Sequence, residues 1–225
     1  DFMVKIEGPL ARVLAHDFRA TWDGQCAPLS TPCPGEDFVL NQCPGRYPIF
    51  EEILRMIARA RRRIVIESPY LLGDHLERAL RAAAERGVRV TLILPARSNK
   101  LLYRHWVRVL RRRLDHPNVT VYGYLGGDGM THAKLILVDD QWASFGSFNM
   151  IELEGLTQKE LNVFSSNTAL IAQFQDLIAG DIADAVPIPA PRVVFGRPLY
   201  AVLYRFFRWW TRRLLRDADW KARYC

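Results

Sequence analysis

Apolar positions recur along this chain with two periods, near 3.6 residues and two residues, and the pattern switches repeatedly between them. Leu10, Val13, Leu14, Phe18 and Trp22 keep helical spacing and predict a helix over residues 9–22, after a short strand-like FMVKIEG. Ile49, Ile53, Ile57 and Ala60 do the same for residues 49–63. RIVIES predicts a strand at 63–68, and the next helix, over 76–86, is closed by Gly87, a residue suited to the left-handed end of a helix. Residues 88–94 form a near-continuous apolar run, as expected of a strand covered on both faces. A helix over 101–114, strands at 118–122, 134–138, 142–145 and 160–165, and a helix over 168–180 complete the series. This alternation predicts an α/β layered domain with a largely parallel sheet flanked by helices.

Two stretches break the rhythm. Residues 23–48 hold five prolines, three glycines and three cysteines and read as an irregular insertion. Residues 187–196 read as a proline-rich linker. The expected organisation is therefore one domain over 1–186, a linker, and a separate helix over 197–220.

Charge narrows the partners. The net charge is +7, from 31 Lys and Arg against 24 Asp and Glu, which favours a phospholipid surface, nucleic acid or phosphorylated small molecules. Basic clusters fall at 59–63, 108–113 and 205–216; the first two read equally well as solvated helix ends. No apolar run is long enough for a conventional membrane crossing. The first residues lack the pattern of a secretory signal, and a start at Asp1 suggests a processed chain or an excised piece. Cys26, Cys33, Cys43 and Cys225 lack the close pairing of a zinc site and have no histidine nearby. No metal is expected, and a local disulfide and free thiols both stay open.

The chemistry concentrates in residues 132–160, HAKLILVDDQWASFGSFNMIELEGLTQKE. His132 and Lys134, two apart, share a face at the start of a buried strand. Ser147 and Asn149 can share a face after the next turn. An imidazole, an ammonium, a hydroxyl and a carboxamide at strand ends suit an oxyanion with several oxygens, such as a phosphoryl group. Glu160 is a candidate anionic partner for the imidazole. Tyr70, Asn99 and the loop 126–131 lie beside predicted strand ends, where open α/β sheets place ligands. Asn162 and Ser165 are candidates for support, and Asp139 lies too far along its strand to reach a phosphate at His132. His16, His75, His105 and His116 lack companions and read as surface or packing residues.

The spacing HxK, four residues, Asp, six residues, GSxN resembles the histidine-lysine-aspartate motif of the phospholipase D superfamily. It is matched by His132, Lys134, Asp139, Gly146, Ser147 and Asn149, with Glu160 where that family carries its histidine-orienting carboxylate. Residues 1–170 resemble the portion C-terminal to the first motif of two-motif bacterial cardiolipin synthases, and the motif occurs once here. The resemblance implies phosphatidyl transfer through a phosphohistidine, with a neutral imidazole as nucleophile and a second as acid and base. His132 stands at the place of the acid and base, Lys134 and Asn149 would balance charge on the transition state, and no cofactor is needed. Gly146, Ser147 and Asp139 would support the site, with Tyr70 and Asn99 as substrate contacts. The partner implied is a missing N-terminal half or a second copy in a homodimer. Ser98-Asn99 replaces a frequent Ser-Asp, and IELEGLTQKE replaces a Ser- and Asn-bearing run, differences that bear on substrate. An alcohol acceptor gives cardiolipin-type synthesis, and water gives phospholipase D-type hydrolysis. A nuclease of the same superfamily, with nucleic acid as partner, and an incomplete, non-catalytic membrane-binding fragment are the other readings.

In the tail, Arg205, Arg208, Arg212 and Arg216 recur three and four apart, while Phe206, Phe207 and Trp210 line the remainder. That pattern predicts an interfacial helix on an anionic phospholipid membrane. With the resemblance, it places the protein peripherally at a bacterial inner membrane, on the cytoplasmic side.

Overall fold

The computed structural model describes residues 2–25, 37–43, 47–98, 103–151 and 158–191, together with residues 202, 206 and 209. Five helices and eight strands run in the order α1 (Pro9–Trp22), β1 (Phe38–Gln42), α2 (Pro48–Arg59), β2 (Arg63–Glu67), α3 (Asp74–Glu85), β3 (Arg89–Pro95), α4 (Tyr103–Arg113), β4 (Val119–Tyr124), β5 (Leu135–Val138), β6 (Trp142–Gly146), β7 (Glu160–Ser165), α5 (Thr168–Ala183) and β8 (Ala185–Pro187) among the described residues. The strands form one open sheet in the order β1-β7-β6-β5-β2-β3-β4-β8.

The expected α/β layers are present. The sheet, however, is mixed rather than largely parallel: β2-β3 and β3-β4 are parallel, and the other five pairings are antiparallel. The cause lies in the connections. β2, β3 and β4 are neighbours joined through the crossover helices α3 and α4, as parallel neighbours require, whereas α2 and α5 link strands that are not adjacent in the sheet. A helix-free loop brings β5 back beside β2, and a three-residue turn then folds β6 onto β5.

Helices cover both faces. Ile49, Ile53 and Ile57 of α2, spaced by four, join Leu76 and Leu80 of α3, Leu110 of α4, and Ile64, Ile66 and Leu92 of the sheet in one core. On the other face Ile171, Phe174 and Ile178 of α5 pack on Val65, Ile93, Leu137, Phe145 and Val163, with Leu10, Val13 and Leu14 of α1 alongside. Gly87 ends α3 at φ 93°, and the Asn167 side chain caps α5 by accepting from Leu170 N at 3.0 Å.

Departures from expectation are local. Residues 2–7 are not part of the sheet; Phe2, Val4 and Ile6 lie partly buried against the second core. The insertion contains β1, paired with β7, because Phe38, Val39 and Leu40 find both cores beneath them. The linker starts later than residue 187: β8 pairs with β4, and Ile188 N donates to Val121 O at 2.7 Å. Cys43 is disulfide-bonded; Cys26, Cys33 and Cys225 lie outside the described residues. So do Asn99 and the tail residues Arg205, Arg208, Trp210, Arg212 and Arg216. Val202, Phe206 and Trp209 are helical and exposed, and the rings of the last two lie 6.0 Å apart.

Candidate active site

Antiparallel pairing sets the site. Glu67 at the end of β2 faces Leu135 at the start of β5, Leu135 faces Phe145, and Phe145 faces Val163. The residues just before β5 therefore emerge beside the last residues of β2 and β6. There His132, Lys134, Gly146 and Ser147 line one cavity of about 350 Å³, walled by Phe2, Val4, Ile6, Leu14, Phe145, Leu161 and Val163.

Within it, Lys134 is buried and His132 exposed. Lys134 Nζ donates to the carbonyl oxygen of His132 at 2.8 Å and lies 3.2 Å from its Nδ1 and 3.3 Å from its Nε2. Partial burial, and then this neighbouring ammonium, hold the imidazole below its usual 6.5. At neutral pH the ring is thus neutral and competent as base or nucleophile.

Gly146 is required by close approach. A Cβ there would collide with Leu161 O and Asn162 Oδ1 and come within 2.7 Å of Asn162 Cα. That approach lets Ser147 N donate to Leu161 O at 2.9 Å while Ser147 Oγ accepts from Leu161 N at 3.0 Å. Asn162, fully buried, accepts from Phe148 N at 3.2 Å and donates to Ser144 Oγ at 3.0 Å, bracing the turn from beneath.

Glu160 departs from the expected arrangement. Its carboxylate accepts a hydrogen bond from Ser147 Oγ rather than from the imidazole. Burial raises its pKa, against the opposing pull of Ser147 and Lys134. The imidazole has turned to Lys134, and Ser147 at the head of the loop is the donor Glu160 meets first. Asn149 does not line the cavity. It sits between the fully buried Phe148 and Met150, and its carbonyl accepts from Ser68 Oγ at 3.3 Å. Ser68 Oγ also donates to Tyr70 O at 2.6 Å, and Leu72 N donates to Met150 O at 3.1 Å. The Asn149 loop is thus tied to the loop after β2, and Tyr70 turns edge-on to Tyr103 instead of entering the cavity.

Asp139 lies at the far end of β5. Its carboxylate accepts from the backbone N–H groups of Arg61, Arg62 and Arg63 at 2.8, 2.7 and 3.0 Å. Burial alone would raise its pKa; those three donors and the Arg62 charge outweigh it and bring it below the usual 3.8. Ser165 accepts from Asn167 N at 3.1 Å, at the start of α5.

Sequence reasoning passes over Glu67, a carboxyl 1% exposed in the centre of the sheet, which accepts from Thr131 Oγ1 beside His132. The signal that could have found it is an acidic residue ending the apolar run RIVI. It also passes over the apolar wall from residues 2–6, because the alternation of Phe2, Val4 and Ile6 reads as a strand.

Residues 53–182 match the family model described as cardiolipin synthase, PLD-like domain, which spans more than half of the chain. The chain belongs to this phospholipase D-like family. Among curated relatives, cardiolipin synthase B of Escherichia coli K12 is 30% identical over 198 residues, covering 81% of this chain and 48% of its own. Cardiolipin synthase A of Buchnera aphidicola from Schizaphis graminum is 28% identical over 166 residues, covering 67% and 34%. The chain thus spans between a third and a half of these relatives. Two solved structures share the fold. A phospholipase D family member, Nuc from Salmonella typhimurium, has TM-score 0.58 and 20% identity, covering 68% of this chain and 99% of its own. A phosphatidylserine synthase from Haemophilus influenzae has TM-score 0.61 and 16% identity, covering 94% and 56%.

Proposed function

We propose that this chain is one half of a phosphatidyltransferase, with His132 as general acid and base and Lys134 holding a phosphoryl oxygen of a phospholipid. The observation that carries the reading is the character of the cavity. A small polar corner, His132, Lys134 and Ser147, opens onto a wall of seven apolar residues. A phosphodiester attached to hydrocarbon suits both parts, whereas a strand of nucleic acid calls for basic and stacking groups along its path. The imidazolium form gives its proton to the leaving oxygen, the neutral imidazole left behind takes the proton of the attacking alcohol, and Lys134 balances charge on the pentacoordinate phosphorus. Glu160 holds Ser147 and offsets the Lys134 charge, while Asn149, outside the cavity, ties the Ser147 loop to the loop after β2. A second histidine, from an upstream half or a second copy of the chain, supplies the nucleophile that carries the phosphohistidine. With water in place of the alcohol, the same residues perform phospholipase D-type hydrolysis.

The tail gives this reading its location, on the cytoplasmic side of a bacterial inner membrane. Among the described residues no helix is long and apolar enough to cross a membrane, and the basic-aromatic run from residue 197 supplies a peripheral anchor instead. Product analysis tests the function: vesicles of phosphatidylglycerol, and separately single-stranded DNA, incubated with the dimeric chain or with an added HxK-bearing upstream half, and with His132→Ala under the same conditions. Lipid turnover lost in the variant supports it, and DNA cleavage without lipid turnover points to the nuclease.

A further inference from the structure

Beneath the candidate histidine lies a carboxyl that the proposed chemistry does not use. Glu67 closes β2, 1% exposed, and its Oε1 accepts from Thr131 Oγ1. Thr131, 3% exposed, accepts in turn from Ala133 N at 3.3 Å, the amide between His132 and Lys134. Glu67 Oε2 has no hydrogen-bond partner among the described residues. We propose that Glu67 is a positioning residue for His132: through Thr131 it fixes the turn carrying the imidazole, and its charge state is transmitted to that ring.

The surroundings explain why the carboxyl can change charge. Burial raises its pKa most; the Thr131 hydrogen bond works against this, and Asp181 of α5 adds to it, leaving a value of about 7 instead of 4.5. Tyr124 of β4, with Asp184 and Asp128, also lies on this side; its phenol is pushed up by burial and then by Asp181, Asp184, Glu67 and Asp128. The carboxyl therefore accepts from the neutral hydroxyl of Thr131 and interacts with a second acid, Asp181. Protonated, it keeps Thr131 in place at no charge cost. Deprotonated, it is a buried anion beside Asp181, bonded to the residue next to His132, and it favours the imidazolium form of the ring.

The folded state holds this proton more tightly than the unfolded chain does. Its contribution to stability is therefore present at low pH and is lost as pH rises from 4.5 through about 7. Glu67→Gln keeps the neutral shape and should flatten that slope.

The experiment is an NMR titration of the His132 imidazole in the full chain, in wild type, Glu67→Gln and Thr131→Val. The wild type should show its own inflection below 6.5 and a second displacement near pH 7. Glu67→Gln should remove the second, and Thr131→Val should shrink it. Circular dichroism and thermal melts report whether each variant folds, and either folded variant suffices. Curves that superimpose on wild type overturn the proposal. So does a lower melting temperature with an unchanged titration, the signature of a purely structural residue. No lipid or nucleic acid enters the measurement, so a negative result leaves the functional reading standing.

Discussion

At the residue scale, Lys134 and His132 set each other's chemistry. With Nζ 3.2 and 3.3 Å from the ring nitrogens, the ammonium disfavours a second positive charge on the imidazole. Lys134→Met should therefore move the His132 pKa back up toward 6.5, measurable in the same NMR titration. It should also reduce turnover by more than it changes lipid binding, because the lost charge matters most when the transition state gathers negative charge. Gly146 makes a different demand. A methyl there must displace β7 or the loop carrying Ser147, at a cost of about 1–3 kcal/mol. Urea unfolding of Gly146→Ala should show that loss, and an unchanged midpoint would mean that β7 yields freely.

At the element scale, β5 is held at both ends by side chains. Thr131 and Glu67 tie its beginning to β2, and Asp139 ties its end to the turn before β2 through three backbone donors. Asp139→Asn should cost about 1.5–3 kcal/mol, the range for hydrogen bonds to a charged group. The folded carboxyl lies below 3.8, so its stabilisation is complete above that value and is lost as pH falls through the lower folded one. Stability curves for the two proteins should converge at strongly acidic pH. The elements most legible in the sequence were those with a strong single period: the helix over residues 9–22 and the strand at 160–165 match α1 and β7 in both bounds. Hidden from it were β1, whose five residues sit inside a stretch rich in Pro and Cys, and β8, whose three residues contain a proline. Both are edge strands, where pairing is decided by what the neighbour offers rather than by local propensity. The site showed the same division. Spacing pointed to His132, Lys134, Ser147 and Asn149 together; the first three line one cavity and Asn149 does not, because it lies further along the loop after β6. The partner of Glu160 depends on side-chain placement across β6 and β7, which no spacing encodes.

At the scale of the whole molecule, a sheet with helices on both faces presents one small polar corner beside an apolar wall, and a basic-aromatic tail comes after it in the chain. If the tail anchors the protein, each arginine contributes roughly 1 kcal/mol on an anionic surface. Deleting residues 197–216 should then abolish co-sedimentation with anionic vesicles at low salt; equal sedimentation of both proteins would rule this anchor out. Completeness is a separate matter, since one HxK motif brings one histidine. Turnover should rise with the dimer fraction seen by light scattering, or when an HxK-bearing upstream half is added. The central claim, that this cavity handles a phospholipid phosphodiester through His132, is tested most directly by following labelled phosphatidylglycerol vesicles under those conditions with wild type and His132→Ala. The account predicts a transferred phosphatidyl product, or phosphatidic acid with water as acceptor, from wild type and none from the variant. Lipid turnover that survives His132→Ala, or its absence under every one of those conditions, would contradict it.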